Sequence, residues 1–83
     1  MNINKIMINA SINGDKQTVK NMIEMGATSY ISAINNACVY GHLPILKLIL
    51  KKDIRLLKYA YVCACYSGYL NIIHYVLDQM SLN

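Results

Sequence analysis

Eighty-three residues, 55% of them hydrophobic and only 14% charged, suffice for one small domain, are too few for two separate cores, and are too apolar for an intrinsically disordered chain. No apolar run approaches the roughly 20 residues that cross a bilayer, because the longest, residues 43–50, is cut by Lys47 and followed by Lys51 and Lys52. The net charge of +4 leaves phosphate as a candidate partner. Lys47, Lys51, Lys52, Arg55 and Lys58 crowd residues 47–58, but no nucleic-acid-reading motif accompanies them, so the run reads as a solvated face and nucleic acid as the weakest candidate.

In chain order, the apolar residues recur with a period near 3.6 rather than 2, which predicts helices and no strands. A first helix over residues 2–13 is loaded with Asn2, Asn4, Lys5, Asn9, Ser11 and Asn13 and ends at Gly14. Asp15 can cap a second helix over 16–25, closed by Gly26. Ser29 can cap a third over 29–40, ending at Gly41, and Pro44 stands in the first turn of a fourth over 43–52, where its missing N–H costs little. Asp53 can cap a fifth over 55–67, ending at Gly68, and a sixth follows over 70–79 with a short tail, 81–83.

The helices come in pairs of one design. Gly14, Gly41 and Gly68 are each 27 residues apart, and Ala10, Ala37 and Ala64 stand four residues before them. The expected fold is therefore all-α, three stacked helix-turn-helix units at about 2–27, 28–53 and 54–80, each burying against its neighbours the apolar surface that it cannot bury alone. On the second helix of each unit a polar stripe is shared: Gln17, Lys20, Glu24; Pro44, Lys47, Lys51; Asn71, His74, Asp78. Where the middle unit has Ile45 and Leu48 the first has Thr18 and Asn21, the composition of a terminal cap. The third has Ile72 and Tyr75, so Ile72, Tyr75 and Gln79 are expected to mark an open C-terminal face, with Asp78, Gln79 and the tail too few to cover it.

The segment Ala37, Gly41, His42, Leu43, Ile45, Leu46, Lys47, Ile49, Leu50 resembles an ankyrin repeat, in which an alanine pair and two variable residues lead to Gly-His and an amphipathic helix. Gly26-Ala27 is similar to the Gly-Ala that follows that helix in the family, and the other units match through Ala64, Gly68, Leu70, Ile72, Ile73, Leu77 and, more loosely, Ala10, Gly14, Val19, Ile23. The family's repeat is about 33 residues, so the six missing here fall in the connection where ankyrins carry a β-hairpin finger. The Thr-Pro-Leu-His opening is absent, with residues 32–35 and 59–62 in its place. The resemblance implies an ankyrin-like α-solenoid without fingers. The richness in Asn, Ile, Lys and Tyr is similar to ankyrin-like proteins of large DNA viruses.

In the family the two residues before the glycine contact partners, which implies partner-binding positions at Ile12 and Asn13, Val39 and Tyr40, and Tyr66 and Ser67. Tyrosines at exposed helix ends are the kind of residue that anchors interfaces; the alternative is that Tyr40 and Tyr66 pack over neighbouring turns. Catalysis is not expected. The acids Asp15, Glu24, Asp53 and Asp78 read as caps and solvated positions, and His42 as a turn residue. Cys38, Cys63 and Cys65 form no CxxC or other zinc spacing and read as packing residues, so neither metal nor cofactor is expected. The opening MNINKIMINASINGD lacks the features of a signal peptide, and a reducing cytoplasmic location is expected. The leading function is non-enzymatic binding of another protein, with self-assembly through the C-terminal unit as the alternative.

Overall fold

The structure, a computed structural model, describes residues 1–82. It contains six helices, α1 (Ile3–Asn13), α2 (Lys16–Glu24), α3 (Tyr30–Val39), α4 (Leu43–Lys52), α5 (Leu57–Ser67) and α6 (Leu70–Leu82), with a 3₁₀ turn at Ile54–Leu56 before α5. No strand occurs among the described residues. Helix α6 runs three residues past its expected end, and of the tail only Asn83 lies outside the described residues.

Local chemistry explains most of these boundaries. Asp15 Oδ1 accepts the backbone N–H of Thr18 at 3.1 Å and Oδ2 its hydroxyl at 2.6 Å, which starts α2. Ser29 stands at the N-cap of α3, yet its side chain makes no capping bond. Asn4 of α1 instead holds the segment leading into it: its Oδ1 accepts the N–H of Thr28 at 2.8 Å and of Ser29 at 3.0 Å, tying the first helix to the approach to the third. Asp53 likewise does not cap α5 directly; it accepts the N–H of Arg55 and closes the 3₁₀ turn.

Two glycines owe their identity to packing as well as to turning. Gly14 and Gly41 adopt φ +79° and +78°, a left-handed conformation that L residues disfavour. Each also lies under a ring from the following pair of helices. A Cβ at Gly14 would stand 2.7 Å from Cε1 of His42, and one at Gly41 2.8 Å from Cε1 of Tyr69.

Consecutive helices pack as pairs, α1 on α2, α3 on α4 and α5 on α6, and α3 lies against both α1 and α5. The small residues Ala33, Ala37, Ala60 and Ala64 are buried on α3 and α5 and permit this close approach. Between the layers Met7, Val19, Ile34, Ile45, Leu46, Ile49, Leu50, Ile72 and Val76 are fully enclosed. Ser11, the one buried polar residue among those described, donates its hydroxyl to the carbonyl of Met7 at 2.9 Å.

Residues 27 apart differ in burial in a way that corrects one expectation. Ile72 is fully buried, like Ile45, and Tyr75 is half-buried with Lys47 Nζ of α4 5.2 Å above its ring. These side chains point back toward the preceding helices, so Ile72 and Tyr75 are not the open C-terminal face; Gln79 is half-buried. A helical wheel fixes which positions share an angle but not the side on which neighbours lie. The forward-facing set is Tyr61, Cys65, Ile73 and Leu77. Its counterparts Ile34, Cys38, Leu46 and Leu50 are buried, whereas Tyr61 is 37% and Leu77 43% exposed, Cys65 is exposed and Ile73 half-buried.

Candidate protein-interaction surface

The six positions before the turn glycines do not behave alike. Ile12 is half-buried, and its carbonyl accepts the His42 Nε2–H at 3.0 Å, which assigns that ring the tautomer protonated at Nε2 when it is neutral. Ser67 is half-buried and donates its hydroxyl to the carbonyl of Ala64 at 3.0 Å. Asn13 is exposed. Val39 and Tyr40 are half exposed, and Tyr66 is 89% exposed, so neither tyrosine is absorbed by a neighbouring turn.

Val39 and Tyr66 are the ends of longer apolar rows. On α3 the outward stripe is Ile31, Asn35, Val39, at intervals of four residues, opposite the buried Ala33 and Ala37. On α5 it is Lys58, Val62, Tyr66, opposite Ala60 and Ala64. Ile31 and Val62 are each about half exposed. Because α5 packs beside α3, these rows form one surface, continued on α1 by the half-buried Ile8 and Ile12. Its middle carries Asn35, whose Oδ1 lies 3.9 Å from Cys63 Sγ. Ile31 and Val62 escaped the sequence reading, although a spacing of four from Val39 and Tyr66, opposite the alanines, is a signal for them.

The basic run at 47–58 is not one patch. Arg55 turns onto Asp53, with Nε 2.9 Å from Oδ1, and Lys58 borders a separate hollow near Met80. Lys47 and Lys51 face the other way, onto a groove shared with Lys16 and Lys20 of α2. The carboxyl of Asp15 is held below its ordinary range by the Thr18 hydroxyl and amide, and that of Asp53 by the Arg55 guanidinium. Burial, helped by the nearby Cys63 thiol, pushes the Cys38 thiol up to about 12, so it stays protonated and inert. Among the described residues no three His, Cys, Asp or Glu side chains converge as a metal would need, and no helix is long and apolar enough to cross a membrane.

The fold and this surface define an all-helical protein with exposed apolar side chains in rows on α3 and α5 and a further set, Leu70, Leu77, Met80 and Leu82, on α6. No protein-family model matches the chain, and neither a curated protein nor a solved structure matches it.

Proposed function

We propose that the protein is a finger-less, ankyrin-like helical repeat module that binds another protein through the outward face of α1, α3 and α5, without catalysis. The observation that carries this reading is the apolar row of Ile31, Val39, Tyr40, Val62 and Tyr66, at least half exposed on helices whose opposite sides are locked in the core. A surface of this kind offers large side chains in fixed positions, so little entropy is lost when a partner covers it. Pulldowns from native material compare the wild type with the double variant Tyr40→Ala, Tyr66→Ala. Loss of at least one partner is expected; retention of every partner would remove this face from consideration.

A second reading rests on a different observation, that Tyr61, Cys65 and Leu77 are exposed and Ile73 only half-buried where Ile34, Cys38, Leu50 and Leu46 are covered. It makes the α5–α6 side a self-assembly surface. Light scattering over a range of concentrations tests it: a strict monomer at the highest concentration defeats self-association, and Leu77→Glu should abolish any dimer.

A further inference from the structure

The groove between α2 and α4 concentrates charge in a way that the sequence order hides. Lys16 and Lys20 on α2 and Lys47 and Lys51 on α4 line one depression of about 550 Å³. A contiguous hollow of about 330 Å³ adds Lys52, with Glu24 as the single acid. Five of the eight basic side chains of the chain thus share one face. Among the described residues the only ion pair is Arg55–Asp53, so none of these lysines is neutralised by a carboxylate. Lys47 alone has a further engagement, over the Tyr75 ring.

Spacing and floor specify the ligand. Lys16 and Lys20, like Lys47 and Lys51, are one turn apart, about 6 Å along the helix at 1.5 Å per residue. Alternate residues of an extended peptide repeat every ~6.6 Å, so acids at every second position meet successive lysines. The residues between them would face the groove floor, which is aliphatic: Leu43, Pro44 and Leu48, with Ile23 in the adjoining hollow. No aromatic ring lines either hollow, and the charges are lysines rather than arginines. Single-stranded nucleic acid binds by stacking its bases on rings, and this floor has none.

We infer that the α2–α4 groove docks an extended acidic segment of a partner protein, with carboxylates alternating with apolar residues. Carboxylates pair with Lys20, Lys51 and their neighbours while the apolar side chains cover Leu43 and Leu48. This surface is separate from the face of α1, α3 and α5, so either can fail without the other.

The test is fluorescence anisotropy of the full chain with a labelled synthetic peptide of about eight residues, glutamate alternating with leucine and serine. Binding is expected, weakening several-fold as salt rises from about 50 to 300 mM. The variant Lys20→Glu, Lys51→Glu should bind at least about tenfold more weakly, and Lys20→Gln, Lys51→Gln should show a smaller loss. The control Lys5→Glu, Lys58→Glu changes net charge equally but leaves the groove intact, so its affinity should stay near that of the wild type. Circular dichroism verifies that each variant is folded. Absence of peptide binding, an equal loss in the groove variant and the control, or tighter binding of a single-stranded oligonucleotide of the same charge would each overturn the proposal.

Discussion

Alanine substitutions at Gly41 and Gly68 separate the energy of backbone geometry from that of packing between helix pairs. The two glycines have nearly the same φ, +78° and +77°. The backbone penalty for an L residue there is about 1–2 kcal/mol at either site. Their surroundings differ: a new Cβ at Gly41 meets Tyr69 Cε1 at 2.8 Å and Cζ at 2.9 Å, whereas at Gly68 nothing lies within 4 Å. The Tyr69 ring must swing aside, and pushing a side chain off its rotamer costs about 0.5–1.5 kcal/mol more. Gly68→Ala should therefore lower stability by about 1–2 kcal/mol, and Gly41→Ala by about 1.5–3.5 kcal/mol. In a domain of this size each kcal/mol is roughly 4–8 °C in Tm, so thermal melts followed by circular dichroism resolve the difference. Repeating both substitutions in a Tyr69→Ala background should make their costs converge. Equal losses with Tyr69 present, or a larger loss at Gly68, would refute the assignment of the ring as the element that joins the second helix pair to the third.

Three further outcomes are expected. Asn4→Ala removes both acceptor bonds at the start of α3 and should cost about 1–2 kcal/mol, whereas Ser29→Ala, at the nominal cap, should stay within about 0.5 kcal/mol in urea denaturation. Ile34→Ala empties a fully buried site and should cost about 2–5 kcal/mol, while Tyr61→Ala, 27 residues on and 37% exposed, should cost far less by the same measurement. The folded pKa values of Asp15 and Asp53 lie below the ordinary aspartate range, so the stability they add is complete above the unfolded value and is lost as pH falls through the folded one. Urea midpoints should decline on acidification below about pH 4, and less steeply in Asp15→Asn.

Much of the helical pattern is legible in the sequence because its punctuation is local. Glycine at a helix end, Asp15 three residues before the N–H that it accepts, and Pro44 in a first turn each act within a few residues, and the helices α1 to α4 lie within a residue or so of where these signals put them. What is not legible depends on distance. That Asn4, and not the Ser29 side chain, fixes the entry to α3 requires knowing that α1 lies against the start of α3, 24 and 25 residues away in the chain. The split of the 47–58 lysines onto two sides, and the convergence of Lys47 and Lys51 with Lys16 and Lys20, arises only when α2 and α4 lie side by side. Of the candidate site, Val39, Tyr40 and Tyr66 stand where a partner could reach them, while Ile12 and Ser67 spend their polar groups within the fold.

The position of Ile72 shows how burial at equivalent positions orients the molecule. Thr18, Ile45 and Ile72 share one angle on α2, α4 and α6, and read alone they suggest a polar beginning and an apolar end. Burial differs along that angle: Ile45 and Ile72 are enclosed, whereas Thr18 is half-buried and its hydroxyl is donated to Asp15 Oδ2. The complementary angle then runs Val19, Leu46, Ile73 and Ile23, Leu50, Leu77, apolar throughout; Val19, Leu46 and Leu50 are buried and Ile23 and Ile73 half-buried, whereas Leu77 is 43% exposed. The ring-on-glycine contact ends at the same place, with Gly14 and Gly41 covered and Gly68 bare. The two sides of this molecule therefore differ in kind. A copy added head to tail would set polar Thr18 and Asn21 against Ile73 and Leu77, and Asp15, already committed to Thr18, above Gly68 where a ring belongs. Self-association through α5 and α6 by continued stacking is thereby disfavoured, and a pairing of that side with itself, a two-fold arrangement that closes at the dimer, is the expected form.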